Sequence, residues 1–282
     1  MRAKIFGLLN KYALHITFGI FFISLLIIAN TWITTGDWIR KSVDLSGGTE
    51  ITIQTDSKPD TVSLENSLKT DFGTAEVRGA QYGLIIRTDE KTNSTEVLQA
   101  VAGLGVNVLS ASVQTVGPAL GASFWSQAQI AILLAFVFMA AVIYMIYRAF
   151  IPTLSMVSSA FMDMIEAIAV MNILGMTLSF AGLAALLMVV GYSVDNEVVL
   201  ATRTLKTEEQ DVEKDIKSSR VTGFTMMGTA LAALITMFVF SPSPVLKEIS
   251  AVLALGLLFD IPNTWLMNVA VMRWYFARHK KL

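Results

Sequence analysis

The chain has no cysteine and only two histidines, His15 and His279. Without cysteine there is no disulfide, no thiolate metal site and no cysteine nucleophile. The two imidazoles lie near opposite ends of the sequence, each beside a membrane boundary, which leaves no pair for a histidine metal site and makes a Ser-His-Asp triad improbable. Charge is scarce as well. Only 15% of residues are Asp, Glu, Lys or Arg, and the net charge is −1, so no basic field for nucleic acid exists. What is abundant is apolar residues, 54% of the 282, gathered into long uninterrupted blocks. That is the pattern of a polytopic α-helical membrane protein.

Six segments are long enough to cross a hydrocarbon core of about 30 Å, which takes roughly 20 helical residues. They lie near 14–34, 126–147, 152–174, 178–200, 221–241 and 248–272. Arg2, Lys4 and Lys11 precede the first, whose length and lack of an A-x-A site read as an uncleaved anchor. Arg148, then Arg203, Lys206, Lys214, Lys217 and Arg220, then Arg273, Arg278, Lys280 and Lys281 join them on one side if the segments alternate. The positive-inside rule makes that side the cytoplasm, with both termini there and Lys247 a minor exception. The expected division is 1–34 for the N-terminus and first span, 35–125 for one external domain, and 126–282 for the other five spans.

The insert reads as a small α+β domain. Strand patterns fall at Gly48 to Gln54, Ala75 to Gly79, Gly83 to Arg87 and Val106 to Val116. Two helical patterns lie between them, one capped by Asp60 and one opened by Asn93 with Glu96 three residues on. The β-α-β-β-α-β order points to a ferredoxin-like split βαβ arrangement. Gly47-Gly48 lacks the Lys-Ser/Thr of a phosphate loop and reads as a turn into the first strand. Gly117, Pro118 and Gly121 mark a hinge at the far end of the insert.

Carboxyls inside apolar helices carry the functional signal. Each costs at least roughly 2.5–3.5 kcal/mol to place mid-membrane, so it faces a partner or a wet cavity. Asp195 lies toward the charged end of the fourth segment, and Arg220 at the facing end of the fifth is placed to meet it. Such a pair either relays protons or is a static interhelical contact. Asp163 and Glu166 share one face of the third segment at i, i+3, and two acids so close would not both ionise readily. Asp260, followed by Pro262 and Asn263, interrupts the sixth segment, where a kink frees backbone carbonyls. Ala181-xxx-Ala185 and Gly228-xxx-Ala232 fit close helix packing.

Asp44-Leu45-Ser46-Gly47-Gly48-Thr49-Glu50 after the first segment, Val116-Gly117-Pro118 before the second and Gly191-Tyr192-Ser193 with an acid soon after in the fourth together resemble the SecD/SecF family. More narrowly, they resemble its SecF branch, in the resistance-nodulation-division superfamily. The resemblance covers nearly the whole chain. It implies a non-enzymatic, cofactor-free subunit in the cytoplasmic membrane, six helices with one external domain. Such a subunit pairs with SecD beside a SecY-type channel, and the two use the proton gradient to move an emerging preprotein outward. By the same resemblance Asp195, Asp163 and Arg220 match the family's acids in segments four and three and its basic residue opening segment five. Val194-Asp195-Asn196-Glu197 replaces the bacterial Asn-Asp pair followed by Thr and looks archaeal. The competing reading is a half-transporter of the same superfamily for lipids or hydrophobic compounds. An intramembrane hydrolase would need Asp163 and Glu166 to meet substrate, and no nucleophile or metal motif accompanies them.

Overall fold

A computed structural model describes residues 2–56, 60–73, 75–80, 83–89, 91–206 and 212–279. Lys280 and Lys281 lie outside the described residues, as do the side chains of Arg2, Lys4, Lys11 and His279. In chain order the elements are α1 (Arg2–Thr35), α2 (Val43–Ser46), β1 (Gly48–Gln54), α3 (Thr61–Phe72), β2 (Ala75–Ala80), β3 (Gly83–Thr88), α4 (Ser94–Gly103) and β4 (Ser110–Val116). The long helices follow: α5 (Pro118–Tyr147), α6 (Phe150–Ile173), α7 (Phe180–Leu205), α8 (Val212–Phe240), α9 (Pro244–Pro262), a π-helical turn (Asn263–Asn268) and α10 (Val269–His279). Two compact units result, residues 1–40 with 130–282, and residues 41–129.

The smaller unit is one four-stranded antiparallel sheet, order β2-β3-β1-β4, with α3 and α4 supplying the other half of its core. Alternation along the strands turns Ile51, Ile53, Leu84 and Ile86 inward onto Leu64 and Leu68 of α3 and Val97 and Val101 of α4. Asp60 caps α3 by accepting from Val62 N at 3.1 Å, and Asn93 caps α4 by accepting from Thr95 N at 3.0 Å. The last strand is shorter than the alternation from Val106 suggests. Gly105, at φ 83°, turns the chain out of α4, and Val106 joins the core before β4 begins.

Gly47 and Gly48 are a structural corner. Gly47 has φ 81° and Gly48 φ 117°, conformations only glycine adopts without strain. A Cβ on Gly47 would sit 2.5 Å from Pro118 Cα, and one on Gly121 would sit 2.5 Å from Gly47 N. Gly121 is therefore the small residue that lets the start of α5 cross the α2–β1 corner, not a free pivot. Around that corner Thr49 Oγ1 and Thr115 Oγ1 share a 3.0 Å hydrogen bond, Gln114 Nε2 donates to Asp44, and the cross-strand pair Glu50 and Arg87 closes at 2.8 Å.

In the larger unit, α6 is the central helix: 61% of its most apolar window is buried, against 6% for α5 and 17% each for α1 and α8. Backbone groups satisfied within each helix are what an apolar surrounding demands. α1, α5, α6, α7 and α8 are long and apolar enough to cross a membrane. The sixth apolar stretch is a helix in three pieces, because Pro262 and the polar residues Asp260, Asn263, Thr264 and Asn268 interrupt it and the backbone widens into a π turn. The tight crossings are Gly223 under Trp265, Gly256 against Val189 and Gly182 against Glu248 and Leu178. Gly228, expected at such a crossing, has open space around it.

Gly121→Ala should force apart the backbones at the corner, at a cost of about 1–3 kcal/mol. Exchange of β1 and β4 amides in the full chain should quicken roughly ten- to hundredfold by mass spectrometry. Gly103→Ala, where a Cβ meets nothing within 4 Å, should leave it unchanged.

Candidate functional site in the helix bundle

Four carboxyls meet inside the bundle: Asp163 and Glu166 of α6, Glu197 of α7 and Asp260 of α9, all fully or almost fully buried. Neutral side chains hold them. Ser193 Oγ stands 2.5 Å from Asp163 Oδ2 and 3.3 Å from Asp260 Oδ1. Asn263 Nδ2 donates both to Asp163 Oδ1 at 2.7 Å and to Glu166 Oε2 at 2.8 Å. Asp260 also accepts from Asn196 Nδ2 at 2.5 Å and Thr264 Oγ1 at 2.6 Å. Glu197 Oε1 accepts from Asn268 Nδ2 at 2.8 Å, and Ser155 Oγ donates to Asn268 Oδ1.

The local fold explains the meeting. Ser193, Asn196, Glu197 and Leu200 fall at i, i+3, i+4 and i+7 on one buried face of α7. Asp260, Asn263, Thr264 and Asn268 fall at i, i+3, i+4 and i+8 across the end of α9 and the π turn, which sets Asn263 between two acids. Of the residues singled out from sequence, Asp163, Glu166, Asp260 and Ser193 are brought together here. Glu197 and the amides of Asn196 and Asn268 were missed. Their signal was present in the helical spacing from Ser193 and from Asp260.

Asp195 is not in this cluster. It sits about 200° around α7 from Ser193, on an exposed face with Gly191 and Tyr192. With Tyr192, Asn196, Met226, Met227, Ala230 and Leu257 it lines a lateral cavity of about 110 Å³ between α7, α8 and α9. No hydrogen bond or ion pair joins Asp195 to Arg220 among the described residues. Arg220 instead lies within electrostatic reach of Glu213 and Arg273, which pair with each other at 2.6 Å. Asn196 touches both places, lining the Asp195 cavity while donating to Asp260. Asp44, Gly47, Gly48 and Thr49 belong to the corner of the smaller unit and hold its strands.

At the far end of α7, Glu248 accepts from Ser179 N at 3.0 Å and Ser179 Oγ at 2.7 Å, while Ser179 caps Ala181 N and Gly182 N. A carboxylate at a helix N-terminus is favoured by the dipole. No group of three or more His, Cys, Asp or Glu among the described residues has the arrangement of a metal site.

Five helices long and apolar enough to cross a membrane, with carboxyls and amides buried between them, mark a multi-pass membrane protein. The family described as Protein export membrane protein SecD/SecF, C-terminal, matches residues 96–278. A Pyrococcus furiosus protein described as Protein-export membrane protein SecF is 38% identical over 267 residues, 93% of this chain and 89% of its own. One of the same description from Methanocaldococcus jannaschii is 35% identical over 254 residues, 86% of this chain and 89% of its own. The chain belongs to the SecD/SecF family. In fold it is similar to SecDF of Thermus thermophilus, described as translocon-associated, at a TM-score of 0.80 and 18% identity over 94% of this chain. It spans 38% of that longer chain. A second SecDF structure, in a super-membrane-facing form, matches at a TM-score of 0.62 and 16% identity over 96% of this chain and 39% of its own.

Asn263→Leu keeps the branching at Cγ but removes the donor shared by Asp163 and Glu166. It should destabilise the detergent-solubilised chain by about 3 kcal/mol, seen as a lowered thermal unfolding midpoint. Asp195→Asn on the exposed face should stay within about 0.5 kcal/mol.

Proposed function

We propose that the chain is the SecF-type subunit of a protein-export apparatus, a non-enzymatic, cofactor-free membrane protein that works with a SecD-type partner beside a SecY-type channel to help a preprotein cross the cytoplasmic membrane. The carrying observation is Asp195 exposed on an otherwise apolar helix face. An acid there needs a polar neighbour or a wet cavity, and Gly191 beside it has no atom within 4 Å of where its Cβ would be, which leaves room for another helix. SecD-type helices that cover this face would complete the cavity. Protonation of Asp195 would then change which groups it pairs with, Arg220 among them, and proton flow would rock the bundle. The apolar sides of α1 and α5 suit lipid.

In this reading the three-piece sixth helix crosses the membrane too, both termini are cytoplasmic, and the residues near 35–125 form an external ferredoxin-like domain. The strand order β2-β3-β1-β4 and the basic loops support it. Single cysteines at Lys91 and Lys214 should therefore label from opposite sides with an impermeant reagent. Labelling of both from one side would overturn the topology.

Asp195→Asn keeps size and hydrogen bonding while removing the charge. It should abolish gradient-driven stimulation of export in vesicles while SecD still co-purifies. Normal stimulation would remove Asp195 from the coupling step. Recovery of a lipid-transfer partner instead of SecD and the channel would favour the lipid-exporting half-transporter.

A further inference from the structure

We propose that Asp163, Ser193 and Asp260 form a proton-sharing carboxyl pair inside the bundle, separate from Asp195, which binds and releases one proton as a unit and reaches the Asp195 cavity through Asn196. The first observation is a count of hydrogens. Ser193 has one hydroxyl hydrogen, yet its Oγ lies within hydrogen-bond distance of a carboxyl oxygen on each side, Asp163 Oδ2 at 2.5 Å and Asp260 Oδ1 at 3.3 Å. It donates to one of them, and the other contact is favourable only when that carboxyl carries a proton and donates back. A distance of 2.5 Å is that of a charge-assisted O–H···O bond.

The second observation is independent of that bridge. Every side-chain amide in the cluster points its NH2 at a carboxyl, through Asn196, Asn263 and Asn268. What remains buried without a partner there is four acceptors, Glu166 Oε1, Glu197 Oε2, Asn196 Oδ1 and Asn263 Oδ1, against two groups that carry a hydrogen, Ser159 Oγ and Trp265 Nε1. Ser159 is fully buried, four residues before Asp163 and beside Glu197. Acceptors outnumber hydrogens in that remainder, and protonated carboxyls are where such a core obtains more.

No cation substitutes for those protons. None of the four acids makes an ion pair among the described residues. Among the described side chains, the groups on the surrounding elements are Tyr12 and His15 of α1, Tyr144 and Tyr147 of α5, and on α8 Glu213, Lys214, Asp215, Lys217 and Arg220. Tyr192, Asp195 and Arg203 stand on α7, Lys247 and Glu248 at the far end of α9, and Arg273, Tyr275 and Arg278 on α10. The proton step is balanced within the bridge. Asp163 gives its proton to Ser193 Oγ as Ser193 passes its own to Asp260, which leaves the serine unchanged and the negative charge on Asp163. Use of this proton by Asp195 rests on the coupling reading above, whereas its existence does not.

Infrared spectroscopy of the full chain reconstituted in lipid tests the bridge. A carboxylic-acid C=O absorption should be present at neutral pH, shift in D2O, and disappear as the pH is raised. Asp163→Asn and Asp260→Asn should each lose it, while Asp195→Asn retains it. Where the aspartate variants fail to fold, Ser193→Ala keeps both acids and should split the single transition into two. An absorption unchanged in Asp163→Asn and Asp260→Asn, a single unaltered transition in Ser193→Ala, or displacement of the absorption by NaCl at constant pH would overturn the proposal, the last in favour of a bound cation. Normal export by Asp195→Asn with this absorption intact would defeat the coupling reading alone.

Discussion

Everything in the larger unit is arranged around the burial of four carboxyls in an apolar bundle. Each carboxyl must find hydrogen-bond partners within the protein, because lipid offers none. The partners come from two helix faces. α7 supplies Ser193 and Asn196, and the segment from Asp260 to Asn268 supplies three more side chains. A straight, uniformly apolar sixth helix could not do this. The proline, the π turn and the run of polar residues that reduce its apolarity are the same features that bring Asn263 between Asp163 and Glu166.

The smaller unit solves a different problem with different means. Its core is modest, so its geometry depends on close backbone contact, with Gly47 and Gly121 allowing the chain to cross itself where the sheet begins. The residues from Asp44 to Glu50 that drew attention as a motif are used there, in a corner tied by Gln114, Thr115 and Arg87. Their role in this structure is to set the angle and register of β1 between β3 and β4.

Much of the fold was readable from the sequence because its signals are local. Five apolar runs and the two capped amphipathic helices depend on neighbours a few residues apart. What was not readable depends on side chains far apart in sequence or on which way a helix is turned. The acids at 163, 166 and 260 stand out by composition, but their common destination needs the packing of α6, α7 and α9. Asp195 and Glu197 are two residues apart and look alike in a linear motif. About 200° of helix rotation separates them, so one faces the lateral cavity and the other the core. The tight glycines at 182, 223 and 256 were hidden for the same reason, since each is defined by the side chain it meets.

One bundle holds two carboxyl environments, an outer acid on an exposed helix face and an inner, buried set. Carbodiimide labelling from the lipid phase, located by mass spectrometry, tests that division most directly. Asp195 should be modified in the isolated chain and protected once a SecD-type partner is bound, with Asp163, Glu166, Glu197 and Asp260 unmodified in both. Modification of the inner four, or undiminished labelling of Asp195 in the assembled complex, would contradict it.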